Sequence, residues 1–275
     1  MPYILGIDAA WTAHNPSGIS LLRYEPGKPP RVIKIARSYH EFLERDAPDW
    51  RAKPVASPPL LTEIVQYCRR HDYDVQVVAL DIPLAPQPVR SYREADRALT
   101  RAYSRRGAPV HSPTSIRPGV ISDLIYQQLT DAGFRWAGSQ AVTGHSSFIE
   151  VYPHAAIIEL FGYDYRLPYK VQKRGQYWKA DPPATRYQKS IDKLQELKQQ
   201  IERLVAYAPE VSLPVLSADA PYSLSMLKGY EDVLDSLVSA LAGYAYQEGK
   251  ATAYGNEDGA IWVPNALPAK EQAPS

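Results

Sequence analysis

The stretch Tyr3-Ile4-Leu5-Gly6-Ile7-Asp8 constrains this chain more than any other. An unbroken apolar run leads straight into a carboxylate. Such a short run reads as a strand covered on both faces. A charge at its end is costly to bury without a partner, so Asp8 belongs at the open edge of a sheet or beside a cation. By itself Asp8 also suits a turn or capping residue. Gly6 removes a side chain two residues earlier, which predicts close backbone approach there. The polar turn His14-Asn15-Pro16-Ser17-Gly18 and the run Ile19-Ser20-Leu21-Leu22 complete a strand, turn, strand unit.

The pattern recurs in Val75-Gln76-Val77-Val78-Ala79-Leu80-Asp81, another apolar strand ending in an acid. If the two strands are parallel, both acids emerge at the same carboxyl edge, where open α/β sheets place their sites. Between them, residues 31–37 alternate polar and apolar, as a half-exposed third strand of an antiparallel meander should. Residues 45–59 read as loop. Leu60, Leu61, Ile64, Val65 and Cys68 fall on one side of a helix over 60–70. Residues 147–152 form a third buried strand, carrying Glu150. Pro153 suits the first turn of a helix reaching Phe161. Glu150 has two readings: a site carboxylate, or an acid hydrogen-bonded to a helix N-terminus.

Basic residues are local, because the formal net charge is only +1. Arg93, Arg97, Arg101 and Arg105 recur every fourth residue along a helix over 92–106. That stripe suits phosphates, or a solvated face laced by Glu94 and Asp96. A further helix is expected over 120–132. The segment 162–183 interleaves Tyr169, Lys170, Lys173, Arg174, Tyr177 and Trp178. It suits phosphates with stacked bases, or a tyrosine-rich surface loop. A long amphipathic helix over 184–208 carries Leu194, Leu197, Ile201 and Leu204, and packing onto its own domain is favoured over dimerisation. In the apolar helix over 231–242, Asp232 and Asp235 are neighbours on one face. Small residues Ser236, Ser239, Ala240 and Gly243 would let that helix lie close to a sheet. A hairpin over 252–254 and 260–263 follows, and the tail 265–275 is expected to be disordered. Residues 1–264 read as one domain, elaborated around 92–221.

Asp8, Asp81, Glu150, Asp232 and Asp235 make one chemistry together. Like-charged carboxylates converge in a partly buried site only when cations neutralise them. A single cysteine, Cys68, excludes a disulfide framework and a Cys-rich zinc site. No histidine pair has ligand spacing, although His14 and His111 lie in loops that could approach the site. Oxygen donors select Mg²⁺ or Mn²⁺, and two such ions clamp the oxygens of a phosphoryl displacement. With no signal segment and no apolar window long enough to span a bilayer, the expectation is a cytoplasmic protein without membrane partners.

The motifs Gly6-Ile7-Asp8, Ala79-Leu80-Asp81-Ile82-Pro83-Leu84, Arg93-Glu94-Ala95-Asp96-Arg97, Glu150-Val151-Tyr152-Pro153, Asp232-Val233-Leu234-Asp235 and the ending Tyr254 to Pro264 span nearly the whole chain. In them the chain resembles the predicted ribonuclease H-like nucleases of domain-of-unknown-function family 429. Asp232-x-x-Asp235-Ser-Leu is similar to the closing motif of the Holliday-junction resolvase branch. The resemblance implies an α/β fold, a ribonuclease H-like mixed five-stranded sheet flanked by helices with a helical, loop-rich insertion. It also implies a metal-dependent nuclease. In that reading Asp8, Asp81 and Asp235 hold two ions, with Asp8 bridging, and Asp232 or Glu150 completes the site or orients water. Ribonucleases H place a Glu on the helix after the third strand, where this chain offers Glu63. Arg93, Arg97, Lys170, Lys173 and Arg174 would hold the phosphate backbone of a nucleic acid. Two alternatives share the fold: a hydrolase of nucleotides or other small phosphate esters, and a non-catalytic nucleic-acid-binding protein. A sugar-kinase or actin-like reading lacks its second glycine-rich segment.

Overall fold

The computed structural model describes residues 1–26, 28–217 and 220–265. The tail expected from Asn265 therefore lies, beyond that residue, outside the described residues. The chain opens with β1 (Pro2–Asp8), β2 (Gly18–Arg23) and β3 (Arg31–Ala36), then α1 (Tyr39–Glu44), α2 (Leu61–Arg70) and β4 (Asp74–Leu80). Next come α3 (Glu94–Tyr103), α4 (Val120–Asp131), β5 (Arg135–Trp136), β6 (Ser147–Val151) and α5 (Pro153–Phe161). The last third holds α6 (Arg174–Tyr177), α7 (Pro183–Leu204), β7 (Ala206–Tyr207), α8 (Leu224–Gln247), β8 (Ala251–Asn256) and β9 (Gly259–Pro264).

β1, β2 and β3 form the antiparallel meander, and β4 lies parallel to β1. The sheet has nine strands in the order β7-β3-β2-β1-β4-β6-β9-β8, with β5 beside β6. It is mixed, as expected, but larger than the expected five strands. The hairpin β8–β9 extends one edge and β7 the other. β5 and β9 share one side of β6 at its two ends.

Side chains alternate across this sheet, so a core lies on each of its faces, and a third, smaller cluster joins α3 to α5 and β9. Ile4, Val77, Ala79, Ile149 and Val151 face α7 and α8. Leu5, Ile7, Val78, Leu80 and Phe148 face α1, α2 and α4. The apolar stripe of α7 is buried in the first core, as the reading of 184–208 anticipated. β3 departs from expectation: Lys34 is 5% exposed, not half-open. Its Nζ donates to Tyr67 Oη at 2.7 Å and lies over the Tyr67 ring, because α2 covers this strand. Arg37 is also buried and ties down the loop after α1, donating to Glu41 and to the carbonyl of Ala52.

α8 is the central helix of the fold. Ser223 caps it by accepting from Met226 N–H. Leu234, Leu237, Val238 and Leu241 are fully buried, and each such side chain contributes about 1.5–3 kcal/mol. The small residues permit the close approach that the sequence predicted. A Cβ on Gly6 would lie 2.1 Å from Ser236 O and 2.5 Å from Ala240 N. A Cβ on Gly18 would lie 2.0 Å from Asp232 O. The acids of α8 are thereby clamped over the ends of β1 and β2. No helix among the described residues is long and apolar enough to cross a membrane.

Candidate active site

The parallel register sets the site. Ile7 pairs with Leu80, and Asp81 N–H donates to Ile7 O at 2.9 Å. Asp8 and Asp81 therefore leave neighbouring strands side by side. Asp8 continues the Ile4 and Gly6 face, and Asp81 that of Val77 and Ala79, so both start from the α8 side. Burial and then the charge of Asp8 push the Asp81 carboxyl well above the usual carboxylate range. Neither side chain has a hydrogen-bond or ion-pair partner among the described residues.

Both acids line a cleft of about 590 Å³ outside the carboxyl ends of β1, β4 and β6. Its other walls carry Lys170, Lys173, Lys228, His111, His154 and Arg117, together with the acids Glu150, Glu231 and Asp232. Of the two histidines noted in loops, His111 reaches the cleft, whereas Asn15 and Pro16 line it in place of His14. His111 Nε2 lies 3.1 Å from Lys173 Nζ. Burial and the Lys173 charge lower its pKa, so a neutral imidazole accepts from the ammonium.

α8 supplies four charges. Lys228 Nζ donates to Glu231 Oε1 at 2.9 Å and, more closely, to Asp232. Lys170 Nζ contacts Asp235 and lies 3.4 Å from Glu231 Oε1. Tyr169 Oη also donates to Asp235, and Val171 N–H to Glu231 Oε2 at 2.6 Å. Burial pushes Asp235 up to about 6 and Asp232 well above its usual value, with the lysines pulling each back. Burial also acts upward on Glu231, but Lys228 and Lys170 outweigh it and hold that acid low. Lys170 and Lys228 are raised despite burial, by Asp235 and Asp232 respectively. Glu231 and Lys228 were missing from the sequence-derived site. Their signal was present: Lys228 stands three and four residues before Glu231 and Asp232 on one helix face.

Glu150 is placed differently from the other acids. It pairs with Leu80, which belongs to the second core. Its side chain therefore starts from the opposite side of the sheet to Asp8 and Asp81. There Arg93 grips it with two bonds of 2.7 and 2.6 Å, and Leu84 N–H donates to it at 2.7 Å. Arg93 also binds Asp96 at 2.8 Å. Burial pushes Glu150 up to about 7 while Arg93 pulls it back. Glu150 thus locks α3 to β6; its partners are a side chain and a loop N–H and not the N–H groups of a helix N-terminus, and it also lines the cleft. Removing one partner of such a buried network costs about 3 kcal/mol or more. Arg93→Met is expected to lower the unfolding free energy by about that amount in urea denaturation. An unchanged midpoint would contradict the network's structural role.

The basic residues divide in the same way. Lys170 and Lys173 reach the cleft. Arg93 is committed to Glu150 and Asp96. Arg97 and Arg101 pair with Glu94, and Arg174 donates to Val171 O. Glu63 is exposed on α2, outside the cleft lining.

No three His, Cys, Asp or Glu side chains among the described residues are grouped to hold a metal ion. Asp8 and Asp81 still fit a hard cation: they are paired oxygen donors with no hydrogen-bonded or ion-paired counter-ion among the described residues, although the Lys170 charge acts on Asp81 from a distance. A cation such as Mg²⁺ uses one or two carboxylates and keeps water or substrate oxygens for the rest. Asp232 and Asp235 do not fit, because ammonium groups already stand on them.

The fold and the cleft define a mixed α/β protein with paired carboxylates opposite lysines at the ends of parallel strands. A family model described as "Protein of unknown function (DUF429)" matches residues 49–259, well over half of the chain. The chain belongs to that family. Asp81, Lys170, Lys228 and the acids of α8 lie within the matched residues, and Asp8 precedes them. No curated protein and no solved structure matches the chain.

Proposed function

We propose that this protein hydrolyses phosphodiester bonds with a hard divalent cation, Mg²⁺ or Mn²⁺, held by Asp8 and Asp81. One observation carries the reading. Two adjacent carboxylates without a hydrogen-bond or ion-pair partner among the described residues share a cleft with Lys170, Lys173 and Lys228. An acidic pair for a cation in one cleft with several ammonium groups is a charge pattern that suits a phosphate ester. The cation, when bound, would supply charge stabilisation and an acidified water. The chain's own groups do the rest. Asp8 and Asp81 fix the cation, while Lys170, Lys173 and Arg117 take phosphate oxygens and set the ester's position.

The ribonuclease H-like reading is supported by the antiparallel meander carrying Asp8, the parallel β4 preceding Asp81, and the late helix whose acids overlie β1 and β2. Fold alone does not choose an activity. The size of the cleft favours a second reading, hydrolysis of nucleotides or other small phosphate esters. Its roughly 590 Å³ is the scale of a small-molecule site, and Trp11 on its wall offers a face to a base.

The test is a hydrolysis panel with Mn²⁺ or Mg²⁺ on single-stranded and duplex DNA, RNA, hybrids, branched junctions and mononucleotides. Cation-dependent cleavage that chelation abolishes is the expected result. Turnover that falls steeply with salt would identify a polymer substrate, through its many phosphate contacts. A folded protein inert on every substrate would overturn the proposal.

A further inference from the structure

The carboxylates around the cleft fall into two sets with different counter-charges. Asp8 and Asp81 have no hydrogen-bond or ion-pair partner among the described residues. Asp232, Asp235 and Glu231 have two, Lys228 and Lys170, both of which line the cleft themselves. These ammonium groups are not loose surface charges. Lys170 follows Tyr169, which is 1% exposed and bonded to Asp235. The next residue, Val171, donates its N–H to Glu231. Lys228 is held at both i+3 and i+4 on the first half of α8. Each lysine is fixed by carboxylates and lines the cleft; Glu231 and Asp232 line it too, while Asp235 does not.

A divalent ion at Asp235 or Asp232 would have to displace an ammonium that already makes charge-assisted hydrogen bonds there. We infer that this site takes one divalent cation, at Asp8 and Asp81, and that Lys170 and Lys228 are built-in cations standing where a second ion would sit. The inference rests on the cation reading of Asp8 and Asp81 given above. In this arrangement Lys170 and Lys228 donate to the non-bridging oxygens of the substrate phosphate. The acids of α8 serve the lysines, and Asp235, which is off the cleft lining, touches neither the cation nor the substrate. Asp235 is then a positioning residue and not a metal ligand.

Mn²⁺ titrated into the full chain, with free Mn²⁺ read by electron paramagnetic resonance, tests this without any turnover. One ion per chain is expected. Asp81→Asn should weaken it by roughly tenfold or more, as loss of a ligand does, whereas Asp235→Asn should leave it within about twofold. The double variant Lys170→Gln/Lys228→Gln frees the acids and should bind a second ion. Two ions on the wild type would overturn the inference, as would a tenfold loss in Asp235→Asn or a folded double variant that still binds one. If removing both lysines prevents folding, the wild-type count and Asp235→Asn still decide. A wild type that binds no Mn²⁺ at millimolar concentration would instead remove the cation reading on which the inference rests.

Discussion

Asp8→Asn is expected to fold normally and to lose hydrolysis by roughly 10²–10³-fold or more, the scale on which removal of a group that stabilises transition-state charge is felt. The residue sits at the end of β1, intermediate in exposure and without a partner of its own among the described residues. The change removes one negative charge and one oxygen donor while keeping the shape. No side-chain hydrogen bond among the described residues is broken. Relief of its repulsion with Asp81 should leave the cation-free protein at least as stable as the wild type, so thermal melting separates the two effects. A folded variant with wild-type turnover would remove Asp8 from the reaction.

Gly6→Ala is expected to be among the most damaging single methyl additions in the core, beside Gly18→Ala. The added Cβ would fall on the backbone of α8, 2.1 Å from Ser236 O, and a helix backbone cannot rotate aside as a flexible side chain can. The helix would have to lift from β1, opening the packing around Leu237 and Leu241 and moving the acids over Gly18. A loss above about 4 kcal/mol is expected, in the range that single substitutions reach only through a named steric or cavity mechanism. Chemical denaturation of the purified variant measures it. A change below about 1 kcal/mol, the everyday scale for a point mutation, would mean that the seam between α8 and β1 is looser than its geometry.

Both predictions were partly visible in the sequence. The runs ending in Asp8 and Asp81 announced parallel buried strands because burial on both faces leaves no polar residue until the strand ends. Gly6 and the small residues of α8 announced a close helix–sheet contact, because only such residues allow it. The length of α8 was underestimated: Ser223 and the turn after it cap a helix that begins before the apolar stripe does. β5 and β7 span only two residues each, too short for any periodicity to register. The sheet therefore outgrew the expected five strands at its edges and, through β5, beside β6, while the expected meander and β4 stand within it.

The site divides along a similar line. Local spacing found the acids but not which side of the sheet each one leaves. That depends on register, and the pairing of Glu150 with Leu80 is a long-range fact. Arg93, read as part of a phosphate stripe, is separated from Glu150 by 57 positions, a distance over which no helical or strand period carries information. Lys170 reaches Asp235 across 65 positions. Only the folded chain shows that the acids of α8 come with their own cations.

The account rests on a cation seat between Asp8 and Asp81. A crystal of the full chain soaked in MnCl₂, with anomalous differences collected at the manganese edge, tests that claim most directly. A peak within coordination distance of both carboxylates is predicted. A peak at Asp232 or Asp235 in its place, or a map with no peak at Asp8 and Asp81, would contradict it.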